Sequence, residues 1–259
     1  RVLPDAVVQT VHIDDLAAAV VAAAEGQVPA GLIADLTEPG AHRFGDLTDR
    51  IRRWQGFPPP RFRPPLPRAM LSLIGKGADL LGQLGWRSPL RSTALQALAD
   101  GVRGDPIAWH DAGGKPCRPL EATLKSLPAT RQERLFARLY FMLPLAIATL
   151  AVFWCASGAI TLLDPARAMT VLEGRGIPAW VVRLTVIGGA VADIGLGIAI
   201  LWRPWTRAAA LGMIGLSALY LLGSLFAALD LWLDPLGPMV KSVPAAALAL
   251  VALALMDER

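Results

Sequence analysis

The sequence predicts a mixed fold: a small α/β segment followed by an all-α, four-helix transmembrane bundle. Three observations carry this reading. Charge is divided unevenly: residues 1–138 hold most of the charged side chains, all three histidines and much of the proline, whereas residues 139–256 are overwhelmingly apolar. Within the apolar part, four stretches reach the ~20 helical residues that cross a bilayer. Near the start, VQTVHIDDLAAAVVAAAEG (residues 8–26) passes from a β-branched run through Asp14-Asp15 into an alanine-rich run. That is a strand handing over to a capped helix.

In chain order, the first strand is expected over Val8–Ile13, with the helix following at once. His12 alternates with Val11 and Ile13, which reads as a packed or hydrogen-bonded histidine. A second short strand is expected over Gly31–Leu36 (GLIADL). A helix over Phe44–Trp54 follows, because Phe44, Leu47, Ile51 and Trp54 recur at helical spacing. The stretch PPPRFRPPLPR, residues 58–68, breaks regular structure and reads as an extended connector, or as arginines set to touch a phosphate or lipid headgroup. An apolar helix is expected over residues 69–84. Its Gly75-x-Gly77 follows no strand and lacks a third glycine, so it is not a dinucleotide loop. A further helix, about Ser92–Val102, leads to a surface loop with Trp109, His110 and Asp111, where no nucleophile stands at a recognisable spacing. Residues 131–138 (RQERLFAR) form a basic amphipathic lead-in suited to the bilayer surface.

The four spans are Leu139–Leu163, Trp180–Trp202, Ala208–Leu229 and Leu236–Met256. Short connections make successive spans neighbours, so an up-and-down bundle is expected. Arg131, Arg134, Arg138, Arg203, Arg207 and Arg259 fall on one side; Arg167 and Arg175 in the first loop, and Asp230 and Asp234 in the third, fall on the other. Short loops rich in Lys and Arg stay cytoplasmic, which places both termini there. Trp180, Trp202, Trp205 and Trp232 sit at predicted span ends, as an aromatic belt requires. Leu163-Asp164-Pro165 and Leu233-Asp234-Pro235 form a weak repeat of Asp-Pro turns.

Composition narrows the function classes. Only 18% of the 259 residues are charged, against about 25% in soluble domains, so lipid is a partner. The net charge of +4 comes without a basic block interleaved with aromatics, and nucleic acid is not an expected partner. Cys117 and Cys155 lie far apart, with neither CxxC nor Cys/His ligand spacing, so no metal site or disulfide framework is indicated.

The candidate site residues are the charges inside the spans: Asp193 and Arg183 in the second, Lys241 in the fourth. Intramembrane ionisable groups mark function by default. Gly189-x-x-x-Asp193-x-x-x-Gly197 aligns the aspartate with two glycines on one helix stripe, which should face a neighbour and not lipid. At ~1.5 Å per residue, Asp193 lies roughly 20 Å below the outer end of its span and Lys241 about 6–8 Å below that of its own. An outer cluster of Arg183 and Lys241 with Asp164, Asp230 and Asp234 is therefore easier to build than an Asp193–Lys241 pair. Two readings stay open for these charges: snorkelling and packing, or a polar pocket for a quinone-like or anionic headgroup with a protonatable Asp193.

These pieces resemble one family arrangement. VHIDDLAAAVVAAAEG (11–26) resembles the late strand–helix of extended or atypical short-chain dehydrogenases/reductases of the epimerase-like, NAD(P)H-binding type. RPLEATLKSLPATRQERLFARLYFMLPL (118–145) resembles the junction where such a domain is fused to a DoxX-like membrane module. FWCASGAITLLDP (153–165), VADIGLGIAIL (191–201) and WLDPLGPMVKSVPAAALALVALAL (232–255) resemble that module's spans. The resemblance implies three parts: residues 1–130 as the C-terminal, partly Rossmann-like, substrate-side portion of a reductase-type domain, 131–138 as a juxtamembrane basic segment, and 139–259 as a DoxX-like four-helix domain. It implies a bacterial inner-membrane location and, for the parent protein, NAD(P) and oxidoreductase or epimerase activity. The family's glycine-rich turn and Tyr-x-x-x-Lys pair have no counterpart here; the only tyrosines are Tyr140 and Tyr220. No catalytic or cofactor-binding residue is carried over, and the chain alone is expected to be inactive. The alternative is a non-catalytic DoxX-type scaffold or a subunit binding a quinone or redox partner. A chain that opens within an α/β joint, without Met, is expected to be a fragment.

Overall fold

The computed structural model describes residues 2–62, 64–233, 239–240 and 242–256. The chain divides into two compact units, one of residues 1–82 and 87–138, the other of residues 83–86 and 139–259.

In the first unit, strand β1 spans only Val7–Val8 and pairs antiparallel with β2, His42–Arg43. On the other side Val8 makes a parallel bridge to Val102. The expected strand Val8–Ile13 is thus cut short, and Gly31–Leu36 is no strand at all. A strand exists only where a neighbour takes its amides and carbonyls. Beyond Val8, Gln9 gives its amide to Val102 and Thr10 exchanges with Glu38, and no ladder forms. In residues 31–36, Leu32, Ala34 and Leu36 instead pack beside Ala19, Val28 and Trp109.

Helix α1 spans Ile13–Ala24. Its cap is His12, two residues before the first of the aspartates: Nδ1 accepts from the Asp14 amide at 3.1 Å. Asp14 and Asp15 then occupy the first turn, where the helix dipole favours anions. Helix α2, Phe44–Trp54, has the expected bounds and places Phe44, Leu47 and Ile51 against Val8, Leu98, Leu120 and Leu124. Helices α3 (Arg68–Gln83), α4 (Ser92–Asp100), α5 (Ile107–Asp111) and α6 (Leu120–Ser126) follow. Trp109 is on α5, buried, its indole N–H donating to the Lys115 carbonyl at 2.8 Å, while His110 and Asp111 are exposed.

Both apolar cores of this unit are small, so polar ties join its distant segments. Arg118 holds Asp15 through Nε (2.9 Å) and Nη2 (2.7 Å), and its amide adds a third bond at 2.8 Å. Glu38 is fully buried. Its Oε1 accepts from the Thr10 amide (3.0 Å) and hydroxyl (2.6 Å), and its Oε2 accepts from His42 Nε2 (3.0 Å) and the Leu120 amide (2.7 Å). One carboxylate therefore joins the β1–α1 joint, β2 and the start of α6.

Helix α7, Arg131–Leu139, leads into the second unit. There α8 spans Met142–Leu163, α9 Pro165–Thr170 and α10 Ala179–Arg183; a π-helical turn, Leu184–Gly188, passes into α11, Gly189–Ala199. Helices α12 (Thr206–Ala227) and α13 (Ser242–Met256) complete it. Among the described residues, three helical stretches are long and apolar enough to cross a membrane: Arg131–Leu163, Ala179–Ala199 and Arg203–Ala227. The fourth expected span is represented by the shorter α13; residues 234–238 and Lys241 lie outside the described residues, and with them the second Asp-Pro repeat. Helix α8 packs on α11 and α13, and α12 packs on the same two. The shared core holds Leu143, Leu150, Trp154, Ile200, Met213 and Ala252.

Residues 83–86 enter this unit in a way the sequence did not suggest. The Trp86 indole donates to the Leu201 carbonyl at 2.6 Å, the Arg203 amide donates to the Leu84 carbonyl at 2.9 Å, and the Arg203 guanidinium lies 5.1 Å from the Trp86 ring centroid. Leu201 stands just past the end of α11, where carbonyls lack helical partners.

Candidate functional site

The polar site of the second unit is built on the contact between α8 and α11. Ala151, Cys155 and Gly158 recur on one face of α8, opposite Ala190, Asp193, Ile194 and Gly197 on α11. The backbones come so close that a Cβ on Gly158 would sit 2.4 Å from the Ala190 carbonyl oxygen. One on Gly197 would sit 2.6 Å from Cys155 Sγ. Small residues permit this approach, and it carries Asp193 away from lipid: the side chain is only 6% exposed.

Asp193 receives a hydroxyl on each oxygen. Ser157 on α8 donates to Oδ2 at 3.1 Å, and Tyr220 on α12 donates to Oδ1 at 3.0 Å. Gly189 makes room for the tyrosine, since a Cβ there would be 2.7 Å from its hydroxyl. The carboxyl thus joins three helices in a low-dielectric interior, where a polar group without a partner is expensive. Three residues before Ser157, on the next turn of α8, Trp154 is buried with its indole N–H unpaired among the described residues.

Of the other two candidate residues, only Arg183 falls among the described residues, and it does not join Asp193. Arg183 is exposed at the end of α10 with no partner among the described residues, and Lys241 lies outside them. Of the expected outer ionic cluster, Lys241 and Asp234 lie outside the described residues; among those described, Asp230 is reached by Arg175 with both terminal nitrogens (Nη2 at 2.7 Å), and Arg175 gives Nε to the Val171 carbonyl at 2.7 Å. The Arg175 guanidinium holds the Asp230 carboxyl below the usual carboxylate range. Asp164 instead caps α9 through the Arg167 amide at 3.1 Å. The physical reason is position. Arg183 points outward because Val182 takes the buried place on α10, while Arg175 follows α9 back to the end of α12.

Sequence reasoning missed Ser157 and Tyr220. A hydroxyl in an apolar span signals a polar contact, but its partner is set by how helices 36 and 27 residues away rotate. Among the described residues no three His, Cys, Asp or Glu side chains converge as a metal site would require.

Three long apolar helices place the protein in a lipid bilayer as an integral membrane protein. Neither the curated proteins nor the solved structures contain a match to the chain. Residues 151–250, which include most of α8, all of α11 and α12 and the first part of α13, match the model of the DoxX-like family.

Proposed function

We propose that this protein is a non-catalytic membrane scaffold of DoxX type. In it, Asp193 ties three of four spans together, and residues 1–82 and 87–138 lie on the cytoplasmic side. The carrying observation is that both oxygens of Asp193 are engaged by hydroxyls from two other helices. That is the arrangement of a tie between spans. The arginines at residues 131, 134, 138, 203 and 207 support the cytoplasmic placement.

The test is thermal unfolding of the full chain in detergent. Interhelical hydrogen bonds in membranes are worth about 0.6 kcal/mol on average and up to ~1.7, so Asp193→Leu, which removes two, is expected to cost about 1–3 kcal/mol. Asp193→Asn keeps an acceptor and a group able to pair with a hydroxyl, and is expected to stay near the parent. A leucine variant as stable and monodisperse as the parent would end the scaffold reading of this residue.

The unpaired Trp154 indole favours a second reading, a carbonyl-bearing headgroup of quinone type seated beside Ser157. Titration with a quinone analogue should then raise the unfolding midpoint of the parent and leave Trp154→Phe unmoved; no shift at saturation argues against it. The wider reading, a reductase-type parent using NAD(P), rests on the resemblance of residues 11–26 and 118–145. Reading the DNA upstream of Arg1 decides this: an in-frame strand–glycine-rich turn–helix segment supports it, and a start codon there rejects it.

A further inference from the structure

The first unit gathers arginines around a single aromatic ring beside the entry to the first span. Phe57 follows the end of α2. The Arg52 guanidinium lies 5.5 Å from its ring centroid, and that of Arg138, from the last turn of α7, lies 5.7 Å away. Arg134, one turn earlier on α7, packs its guanidinium over Gly56. Arg52 is held in place by a bond from Nη2 to the Pro58 carbonyl at 3.3 Å. Neither Arg52 nor Arg138 has a carboxylate partner among the described residues, and the nearby Glu133 is taken by the Thr130 amide at 2.7 Å.

Like charges brought together in this way repel unless an anion neutralises them. Cation–π contact with Phe57 holds the guanidinium planes but does not remove their charge. The identity of the anion follows from the chain. Arg138 immediately precedes Leu139, where the apolar span begins in the sequence, so the chain itself sets it at the span's entry. That is headgroup depth. Leu135 and Phe136 on α7 are 57% and 52% exposed, an apolar face beside charged residues that suits the bilayer interface.

We propose that Arg52, Arg134 and Arg138, arranged around Gly56-Phe57, form a binding surface for the phosphate of anionic phospholipids. Guanidinium forks match phosphate oxygens two at a time. Each basic residue near an anionic leaflet contributes enough to strengthen binding about fivefold. The surface does not depend on the role of Asp193, and its test is separate.

The experiment titrates the full chain in detergent with phosphatidylglycerol and with phosphatidylcholine of equal chain length, and reads bound lipid by native mass spectrometry. The parent is expected to retain phosphatidylglycerol preferentially. The double variant Arg52→Gln/Arg138→Gln should lose roughly 20-fold of that preference while keeping the parent's elution profile and its binding of phosphatidylcholine. An undiminished preference in the variant overturns the proposal. So does inorganic phosphate that displaces phosphatidylglycerol at millimolar concentration, which would make free phosphate the ligand. If the double variant fails to fold, Arg52→Gln alone, at an exposed helix end, is read by the same criteria with about a fivefold loss.

Discussion

Glu38→Ala is expected to unfold the joint between β1, β2 and α6. Four donors converge on this buried carboxylate, two from Thr10, one from His42 and one from Leu120. Alanine leaves them facing a cavity that no nearby side chain fills with an acceptor. Removing one member of a buried charged network costs about 3–5 kcal/mol, most of it the desolvation of groups left unpaired. Glutamine preserves the shape and still accepts from Thr10, but its NH2 opposes the Leu120 amide, so an intermediate loss of about 2 kcal/mol is expected. Hydrogen exchange of the full chain reports this directly. Amides around Thr10 and Leu120 should exchange at least about a hundredfold faster in the alanine variant, while those of α8 and α11 stay protected. Unchanged protection at Thr10 and Leu120 would show that Glu38 is not the hub.

The same residue sets a pH dependence. Burial pushes the Glu38 carboxyl up, yet the bonds from Thr10, His42 and Leu120 outweigh it, and its pKa lies below the ordinary value of 4.5. A carboxylate with a depressed folded pKa contributes stability that is fully present above its unfolded pKa. The contribution is lost as pH falls through the folded value. Protection at Thr10 and Leu120 should therefore hold at neutral pH and weaken below about pH 4.5, and this acid sensitivity should be absent from Glu38→Gln.

Gly158→Val is the second large effect, in the membrane unit. Even a Cβ at this position would meet the Ala190 carbonyl at 2.4 Å and Ile194 Cγ1 at 2.7 Å. The carbonyl belongs to the backbone of α11 and cannot rotate aside, so the two helices must separate and Ser157 loses Asp193. Overpacking costs about 1–3 kcal/mol and more where backbone must move; a loss of about 3 kcal/mol or more is expected here, seen as aggregation on gel filtration or a collapsed unfolding midpoint. Gly195→Val is the control. It lies two residues from Asp193 on the same helix, yet nothing stands within 4 Å of its added Cβ. It should fold like the parent. Equal damage at both positions would mean that the α8–α11 approach is not what the glycines serve.

Much of the helical architecture was legible in the residues. Phe44–Trp54 has its expected bounds because a single amphipathic stripe carries its own period. The spans of α8 and α12 follow from apolar length alone. The small sheet was not legible. Gly31–Leu36 has strand composition, but a strand is a relation between two segments, and here the neighbours are a helix and Trp109. Within the site, Asp193 was identifiable because a charge among apolar residues needs a reason. Its partners were not, since Ser157 and Tyr220 are ordinary residues until helix rotation brings them to it.

The division follows from range. Composition, hydropathy and helical period act within a few turns, so the sequence by itself determined the long apolar helices, the amphipathic Phe44–Trp54 and the suspicion attached to Asp193. The hub at Glu38, the Arg175–Asp230 pair, the docking of Trp86 and the arginines around Phe57 all join residues distant in the chain. Only the tertiary structure decided them, because hydrogen bonds and ion pairs demand a geometry of a few ångström that no local pattern encodes.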